Sequence, residues 1–338
     1  MIKQLRARSP AKLILTGEHA VVYGKPAIAM AINRYAESTI ISSLSSAILF
    51  NCMNLKYAKS FTLHTLQALK QRLQDEYHAF LEGRCSIRDV LKKPFELLQF
   101  TVSHLLETWN IPLSQGMEIR ASSEIPIGCG MGSSAALVMS TLYALAHFLK
   151  LDIDPVRFLA MGREAENLQH GYSSGLDIHL ALAGGCLRFE DGKTSNRILP
   201  NIPMSIVQTG VPVASTGECV EAAAKHFKNS SIANDFAAVA ESFDQALQAN
   251  DIMKIQECIR ENNRLLIKIG VVPSKVQELI RSLEKEGAAA KICGAGSVVG
   301  DNAGVVLVVS EKDMSSTVRD FGFSLQKVQG DFHGTHIV

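Results

Sequence analysis

A glycine-rich stretch at residues 126–136, PIGCGMGSSAA, has the composition of a phosphate-binding loop. Its three alternating glycines would let the backbone approach an anion closely, because glycine adopts conformations that other residues avoid. The apolar run that follows predicts a helix whose first N–H groups and positive dipole end favour an anion. No Gly-Lys-Ser/Thr follows at the P-loop spacing, so a metal ion or a distant lysine must balance the phosphate charge.

The same stretch could instead be a plain glycine-rich turn that caps a core helix. Two adjacent hydroxyls at the start of the helix favour the phosphate site, since a serine oxygen can cap the backbone or bind Mg²⁺. The residues that we assign to nucleotide binding are Pro126, Gly128, Gly130, Met131, Gly132, Ser133 and Ser134.

Two other segments agree with a phosphate site. Lys12 lies in an otherwise apolar run just before Gly17-Glu18-His19. Alone, such a lysine is more often an edge residue whose ammonium group reaches solvent. The second segment, residues 294–297 (GAGS), precedes the apolar run 305–309 and alone would be an ordinary loop.

Composition limits the function classes. A length of 338 residues, 47% of them apolar, predicts one large domain or two. The net charge of +1 gives no reason to expect a polyanionic partner such as a nucleic acid. The seven cysteines are odd in number and contain no Cys-x-x-Cys pair, so we expect neither a disulfide framework nor a structural zinc site. We therefore expect a reducing, cytoplasmic location.

Membrane insertion is not expected. Residues 125–149 are uncharged, but only 135–149 can be helical, and such a segment is too short for about 30 Å of hydrocarbon. The basic residues Lys3, Arg6 and Arg8 are not followed at once by an apolar run, so we expect no signal peptide.

Hydrophobic periodicity and turn residues predict a mixed fold. Asp154-Pro155 predicts the start of a helix that ends near His170, and Gly184-Gly185 should stop a second short helix. The predicted strands are 6–16, 20–23, 27–32, one or two within 37–50, 117–121, 186–189, 204–208 and an apolar run ending at 309. The predicted helices are two or three within 63–108, the last opened by Pro94, then 135–149, 155–170, 176–183 and several within 218–286, with 234–249 and 251–269 the clearest pair.

Three segments, taken together and in order, resemble the GHMP kinases. They are residues 10–24 (PAKLILTGEHAVVYG), the loop at 126–136, and residues 291–296 (KICGAG). The first, and also residues 262–271 (NNRLLIKIGV), are similar to the family members that phosphorylate mevalonate. The resemblance runs from about residue 6 to the C-terminus and is weak between about 43 and 110.

The resemblance implies an α+β fold with two domains. Residues 1–190 would form an N-terminal domain like domain 2 of ribosomal protein S5, and residues 191–338 a ferredoxin-like C-terminal domain. ATP and a small-molecule substrate would meet in the cleft between them. A homodimer is a further implication.

For the metal, the resemblance implies Mg²⁺ between Ser134 and Glu166, with Glu164 as the rival. Positions two apart are about 200° apart around a helix, so the two glutamates cannot share a face. We choose Glu166 because its spacing to Asp177 matches the family pattern. Either glutamate could instead be a solvated helix residue.

Asp177, in the segment 173–177 (SSGLD), matches the family's catalytic aspartate. The alternative is an acid that merely caps a short helix. Lys12 resembles the lysine that pairs with this aspartate and lowers the pKa of the acceptor hydroxyl. Glu18 and His19 resemble groups that orient the substrate, and Thr216 is a looser match for a substrate contact.

The implied activity is ATP-dependent phosphorylation of mevalonate to 5-phosphomevalonate, a step in isoprenoid precursor synthesis. Another kinase of the family, acting on phosphomevalonate, a sugar or homoserine, remains open, as do a decarboxylase of this fold and a silent ATP-binding sensor. One departure bears on substrate choice, because residues 297–299 read Ser-Val-Val where the mevalonate-phosphorylating members continue with glycines. β-Branched residues avoid positive φ, so we expect the bend to move to residues 300–304.

Overall fold

The structure is a computed structural model that describes residues 3–112, 115–228 and 231–338. Within these ranges the strands form two sheets, and helices cover them. The strands are β1 (Gln4–Thr16), β2 (Ala27–Ser42), β3 (Ile48–Cys52), β4 (Tyr57–Phe61), β5 (Met117–Ser123), β6 (Cys186–Glu190), β7 (Lys193–Arg197), β8 (Met204–Gly210), β9 (Ala289–Ile292), β10 (Gly304–Val309), β11 (Leu325–Val328) and β12 (His336–Ile337). The helices are α1 (Leu63–Leu81), α2 (Glu96–Thr108), α3 (Ser133–Leu149), α4 (Pro155–His170), α5 (Leu176–Ala183), α6 (Thr216–Lys228), α7 (Ile232–Gln248), α8 (Ile252–Lys268), α9 (Ser274–Lys285) and α10 (Ser315–Asp320).

The larger sheet has the strand order β12-β1-β2-β5-β3-β4. The β6–β7 hairpin pairs through β6 with the first residues of β2. Strands β1 and β2 pair along most of their length, and the apolar helix α3 packs against both. As a result, the chain that leaves β1 lies at the same end of the sheet as the first turns of α3 and α5. That end carries the residues singled out in the sequence.

The smaller sheet is antiparallel and has the order β11-β8-β10-β9. Numbered along the chain, this order is 4-1-3-2, with helices between the first and second strands and between the third and fourth. The pattern is the ferredoxin-like arrangement expected for the C-terminal part, although four helices, α6 to α9, stand where that fold usually has one. The expected α+β class is therefore confirmed.

The proposed domain boundary between residues 190 and 191 lies in the turn of the β6–β7 hairpin. Both hairpin strands belong to the larger sheet, and β12, at the C-terminus, returns to pair with β1. The chain therefore connects the two sheets more than once, and the division at residue 190 stays a prediction.

Several helix boundaries are confirmed by their capping groups. The Asp154 side chain accepts from the backbone N–H of Val156 at 3.0 Å, and Pro155 is the first residue of α4. Gly171 and Gly184 end α4 and α5 as expected. Helix α3 begins two residues earlier than predicted, at Ser133, because glycine rather than alanine marks its true start.

Other predictions were wrong. Residues 20–23 form a 3₁₀ turn instead of a strand, because positive φ values at His19 and Gly24, of 60° and 71°, curl the backbone. Pro94 does not open the last helix of the 63–108 region; α2 begins at Glu96, with Phe95 as its N-cap. No strand was predicted at residues 289–292, which form β9 and pair with β10.

Among the described helices, none is long and apolar enough to cross a membrane. All seven cysteines lie in described segments as free thiols, and six of them are buried.

Candidate active site

The glycine loop at 126–136 takes a conformation that requires its glycines. Gly128, Gly130 and Gly132 have φ values of 74°, 80° and 69°, in the left-handed region that side chains disfavour. A Cβ on Gly130 would lie 2.8 Å from the carbonyl oxygen of Cys293, and one on Gly132 would lie 3.0 Å from Cγ of Lys12. The loop thus runs in direct contact with β1 on one side and with the third segment on the other.

The helix that follows the loop presents an uncapped N-terminus. Gly132 is the N-cap of α3 and offers no side-chain acceptor for the first N–H groups. Unpaired N–H groups and the helix dipole together make such an end attractive to an anion. The loop and the start of α3 therefore have the geometry of a phosphate cradle.

The third segment closes over this cradle. A Cβ on Gly294 would lie 3.1 Å from Cα of Gly130, so the two glycine segments touch backbone to backbone. Gly296 has a φ of 68°, and a Cβ there would lie 2.1 Å from the carbonyl oxygen of Val271. Positive φ returns at Gly300 and Gly304, at 74° and 79°, while Val298 and Val299 avoid it. The structure thus has the bend where the valines predicted it.

Lys12 and Asp177 form an ion pair beneath the glycine loop. Nζ of Lys12 lies 3.1 Å from Oδ1 of Asp177, and the backbone N–H of Lys12 donates to the carbonyl of Met131 at 3.0 Å. Lys12 is buried, whereas Asp177 lies in the first turn of α5 and keeps a partly exposed carboxylate. A Cβ on Gly132 would be 3.4 Å from Oδ2 of Asp177, which places the pair directly beside the start of α3.

Glu166 lies against the same site. Its carboxylate is buried, and the Ser134 hydroxyl and the charges of Asp177 and Lys12 all act on its pKa. Burial raises the pKa of Glu166 above its usual value, because desolvation penalises the carboxylate. Its Oε2 lies 3.6 Å from Nε2 of His170, while its Oε1 has no protein hydrogen-bond partner among the described residues.

The rival glutamate points elsewhere. Glu164 is half exposed, and its carboxylate pairs with Nε2 of His104 at 3.1 Å, a contact that lowers the pKa of Glu164. The two glutamates therefore lie on different faces of α4, and only Glu166 joins Ser134 and Asp177.

Glu18 and His19 follow β1 directly but have different surroundings. Glu18 is buried, and both of its carboxylate oxygens are taken: Oε1 by Nζ of Lys291 and Oε2 by Nδ2 of Asn262 at 2.9 Å. Its expected contact with a substrate stays a prediction, and in the structure the carboxylate is paired within the protein interior.

His19 is buried too, but one of its nitrogens is available. Its Nε2 lies 3.0 Å from the carbonyl oxygen of Ala295; since a carbonyl only accepts, Nε2 carries the proton and Nδ1 is an acceptor. The buried Nδ1 has no protein partner in the described part of the chain. Burial lowers the pKa of His19, so the ring is neutral at physiological pH.

A cleft of about 360 Å³ is lined by neighbours of these groups, among them Gly130, His170 and Ala295, and not by Lys12, Asp177 or His19 themselves. Its walls are the glycine loop, the end of α4, the third segment and the loop 211–217, which brings Thr216 to the cleft at the start of α6. At its mouth, Nη2 of Arg88 donates to Oε2 of Glu218 at 2.7 Å, joining segments 130 residues apart in sequence.

Sequence reasoning missed four side chains of this region: Arg88, His170, Asn262 and Lys291. Asn262 and Asn263 could have been found, because two adjacent amides on a helix that is otherwise buried by apolar side chains call for polar partners. No local pattern marks Arg88, since its partner lies in a distant helix.

Comparison with known proteins agrees with the site. Residues 96–185 match the model of the GHMP kinase N-terminal domain, and residues 244–300 match the GHMP kinase C-terminal model. The chain thus matches the models of both GHMP kinase domains. The N-terminal match contains the glycine loop, Glu166 and Asp177, and the C-terminal match contains Asn262, Lys291 and the third segment.

Within the GHMP kinases, relatives cover nearly the full chain. The mevalonate kinase of Pyrococcus horikoshii is 29% identical over 312 residues, which are 88% of this chain and 87% of the relative. The mevalonate kinase of Methanocaldococcus jannaschii is 28% identical over 311 residues, which are 90% of this chain and 92% of the relative.

Solved GHMP kinase structures share the fold. A crystal structure of mevalonate kinase has a TM-score of 0.81 at 24% identity and covers 96% of this chain and 98% of its own. The Lactococcus lactis galactokinase complexed with galactose has a TM-score of 0.75 at 16% identity, with 99% and 95% coverage. At these identities the likeness concerns the fold, and it extends over both sheets.

Proposed function

We propose that the protein transfers the γ-phosphoryl group of ATP to the primary hydroxyl of mevalonate, forming 5-phosphomevalonate and ADP. The observation that carries the proposal is the ion pair between Lys12 and Asp177, 3.1 Å apart beneath an anion-binding glycine loop. The relatives named mevalonate kinases, which match over most of both chains, support the choice of acceptor.

The glycine loop and the start of α3 bind the triphosphate. Their backbone N–H groups would point at the phosphate oxygens, and the close packing of Gly130 on Gly294 keeps the loop rigid. Phosphoryl transfer depends on positioning and on stabilisation of charge, so a rigid cradle is the main requirement.

Asp177 and Lys12 act on the acceptor. The acceptor hydroxyl oxygen bonds to the γ-phosphorus while the bond from that phosphorus to the bridging oxygen of ADP breaks. The hydroxyl proton passes to the Asp177 carboxylate, which suffices as a weak base because a loose transition state needs the proton removed late. Lys12 orients Asp177 and stabilises the negative charge on the acceptor oxygen.

Ser134 and Glu166 fit a Mg²⁺ ion. Oε1 of Glu166 is buried without a protein partner, the Ser134 hydroxyl is beside it, and hard cations prefer such oxygen ligands. The described residues contain no group of three or more His, Cys, Asp or Glu side chains suited to a metal. This agrees with Mg²⁺, which takes few protein ligands alongside phosphates and water. When bound, the ion would neutralise phosphate charge.

His19 and Thr216 orient the acceptor. Nδ1 of His19, which has no protein partner in the described ranges, accepts a hydrogen bond from an acceptor hydroxyl, and Thr216 lines the cleft together with the third segment. Glu18 acts only indirectly, because its carboxylate is buried and paired with Lys291 and Asn262. The free thiols suit the cytoplasmic location that we expect.

The silent-sensor alternative is disfavoured by the contact between Lys12 and Asp177, since a protein that only binds ATP has no need for that pair. Incubation with ATP, Mg²⁺ and mevalonate, followed by ³¹P NMR, tests the proposal. A new phosphomonoester resonance coupled to the C5 protons should appear together with ADP. Release of inorganic phosphate alone, or no turnover, would contradict it.

A further inference from the structure

The turn Gly17-Glu18-His19 is held by buried polar groups of the C-terminal part of the chain. Lys291 on β9 is fully buried and donates through Nζ to the carbonyl of Ile14 at 2.9 Å and to Oε1 of Glu18. The other oxygen of Glu18 accepts from Nδ2 of Asn262 on α8. None of the chemical steps above uses this network.

Both the oxygen and the nitrogen of the Asn262 side-chain amide form hydrogen bonds with the turn. Its Oδ1 accepts from the Thr16 hydroxyl at 3.0 Å and from the backbone N–H of Gly17 at 3.3 Å, while its Nδ2 donates to Glu18. The amide cannot be flipped, because its NH₂ would then face the N–H of Gly17 and its oxygen would face the Glu18 carboxylate. One side chain thus fixes both the backbone and the carboxylate of the turn.

His19 is the residue that this network holds in an unfavourable conformation. Its φ of 60° is uncommon outside glycine, and such a conformation persists when the surroundings over-determine it. On one side the ring hydrogen-bonds through Nε2 to the carbonyl oxygen of Ala295 in the third segment. On the other side the preceding residue, Glu18, is tied to Lys291 and Asn262. The other ring nitrogen, Nδ1, has no partner among the residues that the structure describes, so it can accept a hydrogen bond from a ligand.

We propose that Lys291 and Asn262 are positioning residues that act through Glu18 to aim Nδ1 of His19 at the acceptor. The inference rests on the proposed function, in which His19 contacts the acceptor. It assigns Glu18 a role in holding the turn and removes it from the substrate contacts that the resemblance implied. A buried ammonium group needs a paired carboxylate, so Lys291 holds the Glu18 carboxylate and, through it, the turn.

The variants Lys291→Met and Asn262→Leu test this inference. Each should raise the KM for the acceptor, and its dissociation constant without ATP, by about tenfold, which is about 1.4 kcal/mol, and leave the KM for ATP within about twofold. The double variant Glu18→Gln with Lys291→Met removes both charges, so its unfolding temperature should recover relative to Lys291→Met. Its acceptor KM should stay raised, because the turn is no longer held.

A matched control is the buried cluster of Asp244 with Arg197, 2.6 Å apart, which lies outside the cleft. Asp244→Asn should lower the unfolding temperature and leave the acceptor KM unchanged. If Lys291→Met and Asn262→Leu behaved like this control, or raised both KM values equally, their role would be merely structural and the inference would be wrong.

A readout independent of turnover separates this inference from the proposed function. In ¹⁵N NMR of the full chain without substrates, the His19 ring should show the neutral form protonated at Nε2. Lys291→Met, Asn262→Leu and the double variant should shift those resonances or mix the two tautomers, whereas Asp244→Asn should not. Unchanged His19 resonances in all three would overturn the inference. If mevalonate fails as acceptor but the resonances shift, only the acceptor assignment falls.

Discussion

Nζ of Lys12 lies 3.1 Å from Oδ1 of Asp177, although the two residues are far apart in sequence and belong to different elements. Strand β1 delivers the lysine, and the first turn of α5 delivers the aspartate. Because the glycine loop covers both, a hydroxyl placed there would have a base and a cation within reach on one side and the phosphate cradle on the other.

Asp177 should contribute to turnover and not to nucleotide affinity. Asp177→Asn keeps the size of the side chain and removes the carboxylate, so kcat should fall by about a hundredfold or more, in line with the loss of a general base. ATP affinity, measured by equilibrium titration, should stay within about twofold. Asp235→Asn, in the first turn of α7, is the matched control. Near-normal turnover in Asp177→Asn would remove the residue from the mechanism.

Glu166 and Glu164 should differ in their effect on the Mg²⁺ requirement. Glu166→Gln should raise the Mg²⁺ concentration for half-maximal rate by about tenfold or more, as expected when a ligand is lost. Because burial penalises the charged form of Glu166, the same variant should keep or raise the unfolding temperature. Glu164→Gln should leave the Mg²⁺ requirement unchanged. The reverse order of effects would show that the metal binds on the Glu164 face of α4 and would contradict our assignment.

His19 should make stability depend on pH. Burial lowers its folded-state pKa below the usual 6.5, so the unfolded chain takes up a proton first as the pH falls. The stability that neutral His19 contributes is therefore complete above pH 6.5. It is lost as the pH falls towards the folded-state pKa, with a slope of up to about 1.4 kcal/mol per pH unit. Urea unfolding from pH 7.5 to 5.0 should show this slope in the wild type and a shallower one in His19→Asn. Equal slopes would show that His19 does not titrate differently in the two states.

Residue 298, just after the third segment, should tolerate change, whereas residue 296, within that segment, should not. A side chain on Gly296 would meet the carbonyl oxygen of Val271 at 2.1 Å with φ at 68°, so Gly296→Val should abolish activity. Val298→Gly should leave the acceptor preference unchanged and at most loosen the loop, because the bend lies at Gly300. Steady-state kinetics with two acceptors would check both. A changed acceptor preference in Val298→Gly would show that this segment sets specificity.

Local signals explain what the sequence could predict. Asp154-Pro155 and the paired glycines at 184 and 185 are capping and terminating residues, whose effect depends on a few neighbours. Helix geometry alone predicts that Glu164 and Glu166 lie on different faces of α4, whereas the choice of Glu166 came from the resemblance. The resemblance supplied the pairing of Lys12 with Asp177, which spacing could not have given.

Long-range contacts explain what it could not predict. Glu18 looks like a substrate-binding acid in its motif, but its partners, Asn262 and Lys291, lie more than 240 residues away. Residues 20–23 have a strand's composition, and their turn depends on the φ of His19, which the rest of the structure imposes. Residues 289–292 (AAKI) form β9 by pairing with β10, a contact that the local sequence does not indicate.

Comparison of acceptors by kcat/KM tests the central claim most directly. With saturating ATP and Mg²⁺, a coupled assay for ADP would be run on mevalonate, phosphomevalonate, galactose and homoserine, with Asp177→Asn as the background. The account predicts that mevalonate has the highest kcat/KM and that this rate is lost in Asp177→Asn. A higher kcat/KM for another acceptor would contradict the assignment of mevalonate, and an unaffected rate in Asp177→Asn would contradict the mechanism.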